Sequence, residues 1–255
     1  MLLGIDHLVI AVPDLDAAAQ ELEGAVGLVA TGGGRHPTLG TENRLVWLGD
    51  QYLELVSIVN RRAAQESWLG LPTIAALERG GGLVTWAIAS DSVSSEIAAL
   101  RAAGARLGDP IPGERVRPDG RVVRWQLSLP GRIGPAEPPF LIEHDLRAAE
   151  WTEPERVARR VERHPIGGPV RLEVLELPVA DVPDTIHKLA RAVGLRFRPS
   201  LAGGGARDAN VGPQIVRLRP TRGRALAPGI GLVSPAGDDR AVEVLGCRWI
   251  VRSSR

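Results

Sequence analysis

The sequence predicts an α+β protein built from repeated modules, each made of one strand, one helix and three further strands. The first observation is an internal repeat: residues 4–28 and 171–195 both end in AVGL, and both place an aspartate between an apolar segment and a helical pattern. The second is another copy of this pattern at residues 83–107. Further strand-like runs follow the helical pattern in every copy, and repetition of this kind indicates repeated structural units.

Each copy follows the same local rules, element by element. A run of β-formers predicts the first strand, as in Leu8, Val9 and Ile10. An aspartate or serine then stands where a helix needs an N-cap that accepts hydrogen bonds from free amide groups. An amphipathic pattern predicts the helix, and a glycine ends it because glycine adopts the left-handed C-cap conformation easily. The aspartates are Asp14, Asp91 and Asp181, and the glycines are Gly27, Gly104 and Gly194.

The repeat sets the predicted domain boundaries. Two modules, at residues 4–58 and 83–145, form a paired unit that spans residues 1–149. Residues 150–169 are highly charged and are interpreted as a linker with room for a short helix. Residues 170–255 predict a third module of the same kind.

Composition restricts the class of protein. Apolar residues make up 44% of the chain and the net charge is +1, so no strong field favours nucleic acid or an anionic membrane. Cys247 is the only cysteine, which excludes an intrachain disulfide and fits a reducing compartment. Met1–Val12 has the pattern of a strand rather than a signal peptide, and no segment approaches the ~20 apolar residues of a membrane helix. We therefore expect a cytoplasmic protein without a nucleic-acid or membrane partner.

Five segments carry a resemblance to a known superfamily. They lie at residues 6–9, 32–56, 83–90, 117–127 and 139–145. Together with the tandem modules, they resemble the vicinal oxygen chelate superfamily, which includes glyoxalase I and the extradiol dioxygenases, and they match its glyoxalase-like domain branch more closely. The resemblance implies paired modules whose curved mixed sheets form a cavity, with a divalent metal and a small-molecule ligand inside it.

The resemblance also implies a set of metal ligands. The first and last strands of each module supply ligands in this superfamily, and His7 and Glu54 stand at those positions of the first module. Glu143 is predicted as the third ligand because aligning LIEH with YLEL makes it the counterpart of Glu54, whereas its neighbour His144 faces the other way. The first strand of the second module offers no ligand at residues 84–86. His7, Glu54 and Glu143 would suit Zn²⁺, Mn²⁺ or Mg²⁺; the open alternative pairs Glu54 with an arginine and His7 with a backbone carbonyl.

The third module lacks both ligand types. Val174 stands where His7 does when the helix N-caps are aligned, so residues 170–255 are interpreted as degenerate. The glycine-rich segment 202–213 is expected to be a mobile loop. We expect this module either to cover the cavity or to pair with a second chain in a homodimer.

A glycine-rich segment at residues 32–43 is the second candidate region. It is interpreted as a flexible loop with polar tips, and binding groups often lie on such loops. His36 is predicted as a catalytic base or donor, since imidazole titrates near neutrality. Arg35 and Asn43 are predicted to bind substrate. The alternative is an ordinary loop histidine.

Two further residues are predicted to contact the substrate. Arg124 follows a hairpin turn and can clamp a carboxylate through its guanidinium fork. Trp86 can form an apolar wall of the pocket. Structural packing is the alternative role for both residues.

The leading functional hypothesis is a metal-assisted lyase or isomerase that acts on a small oxygenated molecule. The metal or His36 would stabilise an enolate-like intermediate, with Glu143 as a further catalytic group. The glycine triplets do not have the spacing of a phosphate-binding loop, so no nucleotide cofactor is expected. The alternative is a non-catalytic protein that sequesters a small molecule without metal, which the missing ligand in the second module favours.

Overall fold

The computed structural model describes residues 1–160, 164–235 and 239–254, which form two sheets. Eight strands close into a barrel in the order β1-β4-β3-β2-β6-β7-β8-β5. The predicted α+β class with strand–helix–three-strand modules and curved sheets is confirmed. The first module contains β1 (Leu2–Ala11), α1 (Leu15–Val26), β2 (Thr31–His36), β3 (Thr41–Leu48) and β4 (Gln51–Ile58).

The second module follows two short connecting helices, α2 (Arg61–Gln65) and α3 (Gly70–Leu77). It contains β5 (Gly82–Ser90), α4 (Val93–Ala102), β6 (Ile111–Val116), β7 (Val122–Ser128) and β8 (Phe140–His144). In both modules the first strand pairs in parallel with the last, and β1 and β5 pair antiparallel. The two modules therefore meet at β1–β5 on one side of the barrel and at β2–β6 on the other.

The helix ends follow the predicted caps, with one exception. Asp14 and Asp181 accept hydrogen bonds from amide groups of the first helical turn, as expected. Asp91 is not the cap of α4, because Ser92 takes that position and accepts from the Ser95 amide. Gly27 ends α1 in the left-handed conformation with φ 79°.

The glycine triplet at residues 32–34 lies where the barrel closes, and it belongs to β2 rather than to a loop. A Cβ atom on Gly33 would stand 2.0 Å from the Asn43 carbonyl oxygen, and one on Gly34 would stand 2.1 Å from that of Val116. Only glycine permits these approaches of β2 to β3 and β6. The expectation of a flexible loop was therefore wrong for residues 32–36 and 41–43, which are strand; residues 37–40 form the turn.

The second sheet has seven strands in the order β10-β11-β12-β9-β13-β15-β14. It follows α5 (Glu153–Arg160), which lies in the predicted linker; residues 161–163 of that linker are outside the described residues. One complete module comprises β9 (Arg171–Val179), α6 (Val182–Val193), β10 (Arg198–Pro199), β11 (Arg207–Val211) and β12 (Gln214–Pro220). The expectation of a mobile loop at residues 202–213 was therefore wrong in part, because this segment contains the whole of β11.

Three more strands follow this module: β13 (Gly229–Ser234), β14 (Arg240–Val244) and β15 (Cys247–Ser253). β13 pairs antiparallel with β9 and parallel with β15, as β5 does with β1 and β8 in the barrel. β13 to β15 therefore pair as strands of a fourth module would, but no helix lies between them among the described residues. The single module predicted at residues 170–255 therefore contains one complete module and the strands of a further one.

One apolar core joins the barrel to the open sheet. The outward-facing side chains of β1 and β5, such as Leu8, Ile10 and Trp86, pack in it together with Leu175 and Leu177 of β9. Because strand side chains alternate, the opposite faces of β1 and β5 point into the barrel. No helix among the described residues is long and apolar enough to span a membrane.

Candidate functional site

The barrel interior holds a cavity of about 40 Å³, room for about three water molecules. Its polar lining combines histidines, carboxylates, an amide and an arginine, and aromatic rings form much of the rest. α3 covers inward-facing residues of β1, β4 and β5 with a separate apolar cluster. The polar residues are His7, His36, Asn43, Glu54, Arg115, His144 and Glu150, and the aromatic residues are Trp47, Tyr52, Trp68, Trp125, Phe140 and Trp151.

Glu54 is the central carboxylate of this cavity and is only 5% exposed. The Asn43 amide nitrogen donates a hydrogen bond of 2.7 Å to its Oε1 atom. The Nε2 atom of His7 lies 3.6 Å from Glu54 Oε2, and the Nε2 atom of His36 lies 3.7 Å from Oε1. Two imidazoles from β1 and β2 therefore converge on one buried carboxylate from β4.

Asp6 fixes the orientation of two histidines. Its Oδ1 lies 2.6 Å from His7 Nδ1, and its Oδ2 lies 3.0 Å from His144 Nε2. Burial acts to raise the pKa of Asp6, but the charge and hydrogen bonds of the two histidines hold it well below its usual range. An ionised carboxylate only accepts hydrogen bonds, so His7 donates through Nδ1 and, when neutral, leaves the Nε2 lone pair toward Glu54.

His36 is a buried strand residue and not an exposed loop residue, with 5% of its surface accessible. Its Nδ1 atom lies 2.9 Å from the Thr41 hydroxyl, which can donate or accept a hydrogen bond. Burial lowers the pKa of His36 to about 4, and the Glu54 carboxylate opposes this shift. His36 is therefore neutral at pH 7.

Residues 148–152, the closing segment, cover the barrel beside Trp47 and Tyr52. The Trp151 ring stacks on the His144 ring with 3.5 Å between centroids. Glu150 has a left-handed backbone with φ 70° and accepts a hydrogen bond from the buried Arg115 guanidinium. The closing segment therefore bears directly on the cavity.

Two further arginines, Arg117 and Arg159, contact the closing segment from outside the cavity. Arg117 Nη1 lies 3.2 Å from Glu150 Oε1. Arg159 of α5 donates to the Glu150 carbonyl oxygen, and its guanidinium carbon lies 3.9 Å above the Trp47 ring. Glu150 thus accepts from side chains on two different elements, β6 with its following turn and α5.

Glu143 does not line the cavity. Its carboxylate accepts a hydrogen bond of 2.8 Å from the Val93 amide at the start of α4, on the outer face of β8. His144 faces the cavity instead, together with Ile142 and Phe140 of the same strand face. The alignment of LIEH with YLEL was therefore one residue out of register, which exchanges the two faces of a strand.

Three predicted substrate-binding residues also lie outside the cavity. The Arg35 side chain is 76% exposed and pairs with Glu42, and that of Arg124 is 59% exposed and lies beside Glu114. Trp86 is fully buried in the core between the barrel and the open sheet. Of the predicted site residues, the structure brings together His7, His36, Asn43 and Glu54.

Asp6, His144, Arg115 and Glu150 are cavity-region residues that the sequence analysis did not assign. Asp6 directly precedes His7, and a carboxylate inside an apolar strand is a signal that could have marked it, because a buried charge needs a partner. His144 was weighed and rejected on alternation. Arg115 carries no local signal, since its neighbours in β6 are exposed or half-buried.

Comparison with known proteins identifies the family. A family model described as a glyoxalase-like domain matches residues 5–193. The chain belongs to this family. The glyoxalase-like assignment agrees with the resemblance to the vicinal oxygen chelate superfamily, and no curated protein sequence matches the chain.

Solved structures extend the similarity to the whole glyoxalase-like chain. A hypothetical protein from Staphylococcus aureus has 15% identity and a TM-score of 0.79, with 99% of this chain and 100% of that chain covered. A methylmalonyl-CoA epimerase variant from Streptomyces coelicolor, in complex with 2-nitronate-propionyl-CoA, has 21% identity, a TM-score of 0.42 and coverage of 56% and 98%. The Mycobacterium tuberculosis epimerase has 20% identity, a TM-score of 0.41 and coverage of 56% and 88%. At identities of 15–21%, a match shows similarity of fold alone. The Staphylococcus aureus protein carries that conclusion, because its TM-score is 0.79 whereas those of the two epimerases are 0.42 and 0.41.

Members of this superfamily often hold a divalent metal, and the predicted ligand set does not fit one here. Glu143 is engaged at the start of α4, outside the cavity. Within the described ranges, no three His, Cys, Asp or Glu side chains are arranged to hold a metal ion. His144, which replaces Glu143 on the inner face of β8, directs its Nε2 atom to Asp6. Of the predicted ligands, His7 and Glu54 remain at the cavity, fewer than the three protein ligands usual in catalytic zinc sites.

Proposed function

We propose that this glyoxalase-like protein is an isomerase or lyase that moves a proton at a carbon atom of a small oxygenated molecule held in the barrel cavity. The observation that carries the proposal is the buried Glu54 carboxylate, with the Nε2 atoms of His7 and His36 at 3.6 and 3.7 Å. Paired proton acceptors and donors in a water-poor cavity suit general acid–base chemistry.

Glu54 is proposed as the base. Within the part of the chain that the structure describes, its one direct hydrogen bond, at 2.7 Å, comes from the neutral Asn43 amide, which leaves the other carboxylate oxygen to take a proton from substrate. Removal of that proton places negative charge on the neighbouring substrate oxygen. Groups already oriented in the cavity can stabilise this charge without reorganisation, which is the main advantage of an enclosed site.

His36 and His7 are proposed to handle the proton at the oxygen and at the second face of the carbon. His36 is neutral, and its Nε2 atom presents either an N–H or a lone pair, depending on whether the Thr41 hydroxyl donates or accepts. In its neutral form, His7 presents a lone pair on Nε2 because Asp6 accepts a hydrogen bond from its Nδ1–H. One donor and one further base are what an isomerisation through an enolate requires.

The test is solvent-deuterium incorporation. The purified protein is incubated in D₂O with small 2-hydroxy acids, 2-oxo acids and hydroxyaldehydes, and proton NMR follows loss of the C–H signals. We expect Glu54→Gln to slow exchange by about 100-fold or more, the usual size of a general-base contribution. Glu143→Gln is the matched control, because Glu143 lies on the outer face of β8. No exchange with the parent protein, or equal exchange by Glu54→Gln, would contradict the proposal.

Metal assistance is the other form of this proposal, with His7 and Glu54 as its candidate ligands. Metal analysis of the purified protein and thermal melts with added Zn²⁺ or Mn²⁺ test it, because a ligand selective for the folded state must stabilise that state. The incomplete donor set makes metal-free proton transfer our preferred form.

Non-catalytic sequestration is the second candidate function, favoured by the many aromatic rings that line the cavity. A sequestering protein would bind its ligand equally well with Glu54→Gln and exchange no C–H protons.

The cytoplasmic location and the homodimer stay predictions from the sequence. Size-exclusion chromatography with light scattering tests the homodimer.

A further inference from the structure

Three buried polar atoms of cavity-lining side chains have no hydrogen-bond partner among the described residues: Nη1 of Arg115, Oδ1 of Asn43 and Nδ1 of His144. Arg115 and Asn43 supply one donor and one acceptor. Both side chains line the cavity, and their residues are 3% and 5% exposed. An unpaired buried polar group is unfavourable, so one donor and one acceptor that share a cavity indicate a ligand that supplies their complements.

The identity of the free Asn43 atom follows from its neighbour. A carboxylate only accepts hydrogen bonds, so the Asn43 atom 2.7 Å from Glu54 Oε1 must be the amide nitrogen. The carbonyl oxygen is then the free atom, and it lies next to the proposed base. A hydroxyl or amino group of a ligand can donate to it.

The Arg115 guanidinium presents a positively charged donor, Nη1, to the cavity. Among the described residues, the carboxylate that pairs with Arg115 is that of Glu150, which Arg117 shares; Arg117 also pairs with Asp119. The guanidinium group binds carboxylates well because its donors are fixed in one plane. Arg115 also acts on the cavity at a distance, since its charge contributes to the lowered pKa of His36.

We propose that the cavity takes a small carboxylate bearing a hydroxyl or amino donor, with its carboxylate on Arg115 Nη1 and its donor group on Asn43 Oδ1. This inference rests on the proposed function, since it names the substrate class of the same cavity. The cavity of about 40 Å³ limits the part enclosed there to a few heavy atoms. The predicted clamp at Arg124 is thereby replaced by one at Arg115, on the neighbouring strand and inside the barrel.

Three probes separate the two contacts in the parent protein. Glycolate offers both a carboxylate and a hydroxyl, acetate only the carboxylate, and ethylene glycol only hydroxyls. Calorimetric titration and thermal melts should rank glycolate above both single-function probes by about tenfold in affinity, the size of one satisfied buried hydrogen bond. Glycolate binding no tighter than acetate and ethylene glycol overturns the inference without any variant.

Two variants then assign the contacts to residues. Arg115→Gln should lower glycolate and acetate affinity, whereas Arg117→Gln, which loses a bond to the same Glu150 carboxylate outside the cavity lining, should bind like the parent. Asn43→Ala should reduce glycolate affinity to that of acetate. Equal losses of affinity in Arg115→Gln and Arg117→Gln would show that both act through the closing segment rather than on the ligand, and would overturn the assignment of the carboxylate to Arg115. If Arg115→Gln does not fold, Arg115→Lys replaces it.

The two proposals fail in different ways. Glycolate-type binding that requires Arg115 and Asn43, without any C–H exchange, would remove the proposed chemistry and leave the binding inference standing. Proton exchange that depends on Glu54 but occurs with substrates lacking a carboxylate would remove the binding inference and leave the proposed chemistry standing.

Discussion

The barrel and the open sheet use equivalent strand positions, and they satisfy their polar groups in opposite ways. Glu54 lies beside Val9 in the barrel, and Arg217 lies beside Glu176 at the matching position of the open sheet. Arg217 donates to Asp208 at 2.8 and 2.9 Å and to Glu176 at 3.1 Å. The open sheet therefore surrounds its charged residue with partners of opposite sign.

The barrel leaves its polar groups incompletely paired. Glu54 receives one neutral hydrogen bond, and Asn43 and Arg115 each keep an unpaired atom. Paired groups contribute stability, whereas unpaired buried groups retain the capacity to bind something else. The comparison teaches that the shared module does not determine the role of a face; the completeness of its hydrogen bonding does.

The largest effect on stability is expected from a substitution that breaks the ion-pair network of the open sheet. Arg217→Met leaves Asp208 and Glu176 without their shared partner, and loss of one member of such a network should lower the free energy of unfolding by about 3 kcal/mol. Glu54→Gln should change it by less than about 1 kcal/mol, since no opposite charge is lost. Urea unfolding of both variants measures the difference, and equal losses would contradict the comparison.

A smaller effect is expected in the pH dependence of the free energy of unfolding, and it arises from His36 in the barrel. The pKa of His36 falls from 6.5 to about 4 on folding, so the unfolded chain binds the extra proton between these values. Stability is therefore unaffected above pH 6.5 and decreases as the pH falls toward 4, by about 2 kcal/mol between pH 7 and 5. His36→Gln should flatten this slope in urea unfolding at several pH values, whereas His187→Gln, at an exposed position, should leave it unchanged.

The smallest effect concerns the strand face outside the cavity. Glu143→Gln removes a negative charge from the first turn of α4, where the Val93 amide donates to it, and should cost about 0.5–1 kcal/mol. Proton exchange on substrates should stay at the parent rate. A large loss of exchange with an intact fold would return Glu143 to the catalytic site.

The local parts of the fold were predictable because their causes are local. Strand and helix patterns, the N-caps Asp14 and Asp181 and the glycine ends of the helices follow from neighbouring residues. The interpretation of residues 32–43 as a loop failed because three glycines hide a strand, β2, whose second partner, β6, comes from the other module. Their close approach to β3 and β6 is a property of the closed barrel.

The candidate site was predictable only within the first module. His7, Asn43 and Glu54 all lie in the first module, and the resemblance assigned His7 and Glu54 to strand positions that face the cavity. Arg115 reaches the cavity from β6, which pairs with β2 across the junction between modules, and no local pattern reports that contact. The choice between Glu143 and His144 depended on a one-residue register that only the assembled sheet fixes.

The closing segment covers one approach to the cavity. A ligand that reaches Glu54 past Trp151 must first separate the Trp151 and His144 rings and the Arg115–Glu150 ion pair. Association that requires such an opening is slower than free encounter. At high ligand concentration its observed rate would approach the opening rate, and dissociation would be limited by the same event. Residence time in the barrel would then follow the strength of the Glu150 contacts as well as those made by the ligand.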